Sequence, residues 1–120
     1  MNAPTKPDDG LEFDLAAIVR ELRDSEPYTR EGHTARTIVR TPDLRVVVIA
    51  LRDGAMMAAH RVAVTATVQT LEGDVSLQLP HRLVDLPAGG LFVLGADLPH
   101  DVRARGDSVV ILTLGWRIDL

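Results

Sequence analysis

The chain has no cysteine, one tryptophan, one tyrosine and two phenylalanines among its 120 residues. Without cysteine there is no disulfide framework, no thiolate nucleophile and no sulfur-ligated zinc site. With only Phe13, Tyr28, Phe92 and Trp116 as aromatics, the core must be built from Val, Leu, Ile, Ala and Met. Nucleic-acid bases would find no aromatic platform to stack on. Positive charge is also in deficit: 13 Lys and Arg against 17 Asp and Glu leave a formal net charge of -4. The arginines are scattered among acids, which argues against a nucleic-acid partner. No stretch reaches the roughly 18 consecutive apolar residues of a membrane span. The leading MNAPTKPDDG has no apolar run of signal-peptide type, so a cytoplasmic location is the default expectation. Motifs for a serine nucleophile or a phosphate-cradling loop are missing too.

What remains is the balance of an ordinary globular protein, 46% hydrophobic and 25% charged, at a length that suits one domain with its own core. Residues 1–10 read as a flexible leader, because two prolines, aspartates and a glycine offer little to bury. Residues 11–33 read as a helix and linker. Leu15, Ile18, Val19 and Leu22 recur at the spacing that lines one helix face, Asp14 is a suitable N-cap, and Asp24-Ser25-Glu26-Pro27 is expected to end the helix. From residue 34 to 120 the pattern is of short strands with turn signals, nine in all: Thr34 to Arg40, Leu44 to Leu51, Met56 to Arg61, Thr65 to Leu71, Val75 to Leu79, Arg82 to Leu86, Leu91 to Leu94, Pro99 to Arg103 and Ser108 to Leu114. The runs RVVVIAL and VVILTL barely alternate and should be buried on both faces. An all-β sandwich or barrel behind one short N-terminal α-helix follows.

Two segments carry the chemistry. The first runs GAMMAAHRVAVTATVQTLEG, from Gly54 through His60 to Gly73; the second runs GGLFVLGADLPHDVRA, from Gly89 through His100 to Ala104. Glycines bracket an apolar run in each, and each presents one imidazole. This layout, with LEGDVSLQL between the two, resembles the paired signature segments of the cupin superfamily, over roughly residues 44 to 116. The resemblance implies a double-stranded β-helix, the jelly-roll barrel of small single-domain cupins, and a homodimer, the commonest soluble assembly. It also implies a site for a metal or a ligand between the two sheets of the barrel. His60 and His100 are its candidate ligands, for Zn, Fe, Mn or Ni if any metal is held. The family's second histidine and its glutamate fall on Val62 and Ala66.

If residues 60 to 70 form one unbroken strand, His60, Val62, Ala66, Val68 and Thr70 share one face and form a cavity wall with His100. Two imidazoles fall short of the three or four protein ligands that zinc sites use. Three functions stay open: a small-molecule-binding sensor or accessory protein with a reduced two-histidine site, a metal-dependent cupin enzyme of dioxygenase, isomerase or decarboxylase type, and an interaction module with a packed barrel. Gln69 is expected on the opposite face, Met56 and Met57 as core filler, His81 in a solvated turn, and Glu72 and Asp74 as turn residues. His33 is the single imidazole of the N-terminal region.

Overall fold

The structure is a computed structural model that describes residues 7–115, with Ala59 and His60 described by their backbone alone. Asp14 caps the first helix, α1 (Leu15–Arg23), its carboxylate accepting from the Ala17 N–H at 3.1 Å. Val19 and Leu22 are buried on its inner face, as the periodicity predicts. The helix ends at Arg23 with Asp24 as its C-cap, within the Asp24 to Pro27 stretch expected to end it. The chain breaks at Asp24 and Ser25, and Pro27 sits in the first turn of a second helix, α2 (Glu26–Glu31), where its missing N–H is one that no intrahelical bond needs. There are therefore two helices where one was expected. Gly32, at φ 83°, closes α2 in the left-handed conformation that glycine adopts most easily.

Nine strands follow: β1 (His33–Arg40), β2 (Leu44–Leu51), β3 (Met56–His60), β4 (Ala66–Glu72), β5 (Asp74–Gln78), β6 (Leu83–Pro87), β7 (Leu91–Leu94), β8 (His100–Ala104) and β9 (Ser108–Gly115). They form a five-stranded sheet in the order β1-β2-β9-β4-β7 and a four-stranded sheet in the order β3-β8-β5-β6, antiparallel throughout. The two sheets face each other over a core that includes Leu51, Val68, Val75, Leu77, Leu94 and Val110. The opposite face of the larger sheet is covered by the helices, where Val19, Leu22 and Tyr28 pack on Val48, Ala50 and Val109. This cover explains the unalternating runs of β2 and β9: odd positions of β2 face the barrel core and even ones face the helices. Neither described helix is long and apolar enough to cross a membrane.

The stretch from residue 60 to 70 is not one strand. Residues 61–65 are irregular, β3 lies in the smaller sheet and β4 in the larger. His60 and the wall residues Ala66, Val68 and Thr70 therefore belong to opposite sheets rather than to one face of one strand. Arg61 to Thr65 are where the chain crosses between sheets, which the alternating apolar pattern VAVTATV conceals. At the β4–β5 turn Gly73 has φ 75°, and a Cβ there would collide with the Asp107 carbonyl oxygen and the Ser108 hydroxyl. That close approach lets Ser108, fully buried, hydrogen-bond with the Asp74 backbone at 3.1 Å and tie β9 to the hairpin.

Candidate functional site

Between the sheets, beside the β1 and β3 edges, is a cavity of about 220 Å³. The larger sheet contributes Val47 and Ile49 from β2, Val68 from β4, and Val110 and Leu112 from β9. The smaller sheet contributes Met57, Val102 and His100, and the crossing segment contributes Val62. Ala35 of the edge strand β1 completes the wall and is itself solvent-exposed, so the cavity opens between the β1 and β3 edges. Among these residues His100 alone carries a polar side chain. The placement follows from register: the rungs Ile49–Val110 and Val47–Leu112–Val68 lie on the core-facing side of the larger sheet.

His100 is 8% exposed, and its Nδ1 lies 3.1 Å from the Leu98 carbonyl oxygen. A carbonyl can only accept, so Nδ1 is the donor in that bond. The preceding turn sets this geometry. Asp97 adopts φ 63°, the one positive value of a non-glycine residue among those described, and its N–H donates to the Val62 carbonyl at 2.7 Å. That bond pins the β7–β8 turn to the sheet crossing and holds Val62 and His100 at the same cavity.

The remaining sequence candidates separate. Val62 and Val68 line the cavity with His100, while Ala66 and Thr70 are buried, 1% exposed each, without being among its lining residues. The Thr70 hydroxyl donates to the Leu86 carbonyl at 2.9 Å, so it links β4 to β6 across the barrel. His60 stands in backbone register with His100 on neighbouring strands; its side chain lies outside the described residues. Gln69 is exposed on the other face of β4, His81 is exposed in the β5–β6 turn, and Glu72 pairs with Arg23 on the surface at 3.4 Å. Asp74 bonds Arg105 at 3.2 Å, and Asp85 bonds the same guanidinium at 2.9 Å; the Asp74 hydrogen bond is the main reason the Arg105 pKa is raised. Met57 does line the cavity, a placement that its reading as core filler did not include. What places it there is its pairing with Val102 of β8, another lining residue.

The donor set does not fit a divalent transition metal held by protein ligands. Where the cupin pattern has a second imidazole and a carboxylate, this chain brings the aliphatic Val62 to the cavity and the methyl of Ala66 to the core. No group of three or more His, Asp or Glu side chains converges among the described residues. His100, with His60 in register, leaves at most two imidazoles against the three or four protein ligands of zinc sites.

A second concavity, of about 540 Å³, lies outside the barrel where Leu11 and Phe13 meet Val39 and Leu44 at the β1–β2 hairpin. It holds no imidazole.

No family model matches the chain, and no curated protein matches it in sequence. Solved structures do. A cupin superfamily protein from Desulfitobacterium hafniense is 11% identical with a TM-score of 0.67, over 70% of this chain and 77% of that one. The protein KdgF from Halomonas sp. is 26% identical with a TM-score of 0.66, over 80% and 86%. Salicylate 1,2-dioxygenase from Pseudaminobacter salicylatoxidans is 20% identical with a TM-score of 0.76; the match covers 85% of this chain and 34% of the dioxygenase. These likenesses show a cupin fold: two antiparallel sheets forming one β-barrel, as the two signature segments imply.

Proposed function

We propose that this cupin barrel binds a small, largely apolar molecule in the cavity beside His100, as a sensor or accessory protein without a protein-ligated metal. The observation that carries the reading is a cavity of about 220 Å³ whose described lining is aliphatic except for Met57 and one imidazole. A cavity of roughly 150 Å³ with such a lining stays dry and admits benzene, so the space suits a ligand of roughly nine non-hydrogen atoms. That is smaller than the drug-sized molecules of typical pockets. The apolar body would be held by displacement from water and by dispersion. His100, which also makes contacts of its own within the fold, is the polar group of the described lining and orients a ligand that carries a hydroxyl or N–H.

The test is calorimetric titration of the full chain with phenol and with toluene. Saturable one-to-one binding with a Kd on the order of 0.1–1 mM is expected for probes of this size. Val68→Phe and, separately, Leu112→Phe fill the cavity from two strands and should abolish it. Loss of the phenol preference in His100→Phe, with toluene binding kept, identifies the imidazole as the polar contact. Absence of saturable binding to the parent, or undiminished binding to both filled variants, overturns the proposal.

A further inference from the structure

Each sheet has two outermost strands, so the barrel has two sides along which no ladder runs from one sheet to the other: β1 against β3, and β7 against β6. The β7–β6 side is tied by hydrogen bonds. The Thr70 hydroxyl of β4 donates to the Leu86 carbonyl of β6 at 2.9 Å, the Gly89 N–H donates to the Thr70 carbonyl at 2.9 Å, and the Ala88 N–H donates to the Gly73 carbonyl at 2.9 Å. Leu86 of β6 and Leu94 of β7 are themselves buried, 6% and 1% exposed. A ligand entering there would break polar pairs and displace packed core residues. The β1–β3 side differs. On β1, His33 pairs with Leu51, Ala35 with Ile49 and Thr37 with Val47, so these three share the core-facing side of an edge strand. Ala35 lines the cavity together with Ile49 and Val47 and is exposed, whereas His33 and Thr37 are half-buried. The smallest side chain of that row therefore stands where the cavity lining meets solvent. From the other edge, half-buried Met57 of β3 lines the same cavity with an unbranched thioether chain that changes rotamer readily.

We infer that Ala35 is the entry residue of the cavity: the ligand passes in and out between the β1 and β3 edges, past the Ala35 methyl, and the small side chain there sets how wide a molecule is admitted. The inference rests on the cavity reading above and adds the route to that cavity and the residue that selects along it. Passage on this side separates side chains and leaves every ladder between strands intact. Strand edges are also where a sheet opens locally at least cost. A larger side chain at position 35 narrows the route while Val68, Val110 and Leu112 keep the walls unchanged. A residue at the mouth acts on the barrier that entry and exit share, so it moves both rates by one factor and leaves the affinity alone. A residue that fills the cavity weakens the affinity instead.

The test exploits the lack of cysteine in the chain. Ala35→Cys carries a single thiol, to which benzyl methanethiosulfonate adds a bulky group that reduction removes, so the same folded protein is compared with the mouth narrowed and reopened. Phenol exchange is followed in the full chain by the NMR line shapes of the cavity methyls. With the label on Ala35→Cys, association and dissociation should both slow about tenfold or more while Kd stays within about threefold, and reduction should restore both rates. The same label on Leu91→Cys, at a position 60% exposed on β7, should leave both rates unchanged. Unchanged rates after labelling at position 35, equal slowing from position 91, or a weakened affinity at an unchanged association rate overturns the entry route alone. Absence of phenol binding to the unlabelled parent overturns the cavity reading and this inference with it.

Discussion

Replacing Thr70 with Val separates a structural hydroxyl from a ligand-binding one. Thr70 is 1% exposed and its hydroxyl donates to the Leu86 carbonyl at 2.9 Å, joining β4 of one sheet to β6 of the other. Valine has nearly the same shape, so the substitution opens no void, and the Thr70 backbone bonds to Gly89 and Gly90 in the β6–β7 turn are left alone. What is lost is one buried hydrogen bond, with the Leu86 oxygen deprived of that donor. Such a loss costs about 1–3 kcal/mol. In a domain of this size that lowers Tm by roughly 4–12 °C, and the midpoint of urea unfolding falls at an unchanged slope. Because the hydroxyl does not reach the cavity, the affinity for phenol should stay within about twofold of the parent. Parent-like stability, or weakened phenol binding at parent-like stability, would refute the reasoning by showing that the hydroxyl serves the cavity instead.

Three further outcomes follow from the same geometry. Gly73→Ala should cost about 3 kcal/mol or more, because left-handed strain adds to displacement of the Ser108 hydrogen bonds. Gly89→Ala, at φ 91° with open space around it, should cost only the strain, about 1–2 kcal/mol; equal losses in denaturant melts would contradict the close approach at Gly73. Val62→His places an imidazole on the cavity wall beside His100 and should raise zinc affinity about tenfold or more in a competition assay. Unchanged affinity would mean that position 62 does not face His100. Glu72→Gln breaks the Arg23 pair, whose side chains are 29% and 51% exposed, and should change stability by less than about 1 kcal/mol in thermal melts.

Most of the barrel was legible because its signals are local. Glycine and proline punctuation marks nine strands to within a residue or two, and the spacing of Leu15, Ile18, Val19 and Leu22 marks α1. Two features were hidden. The second helix was hidden because the Pro27 that reads as part of the end of α1 also sits in the first turn of α2, where proline is tolerated. The crossing at residues 61–65 is invisible because its valines alternate as a strand would, so Val68 and Thr70 look like neighbours of His60 although they come from the facing sheet. The same limit applies at the site. His100 and Val62 can be picked out from the two signature segments, whereas the Met57–Val102 pairing exists only once β3 and β8 are in register, and the duty of the Thr70 hydroxyl only once β6 is opposite.

The central claim is that the space beside His100 takes up a small ligand, and methyl-resolved NMR during a phenol titration reads it most directly. The account predicts saturable shifts of the Val47, Val68, Val110 and Leu112 methyls and of the His100 imidazole, with the exposed Leu83, Leu91 and Val93 unaffected. Silent cavity methyls, or shifts confined to those exposed residues, would contradict it.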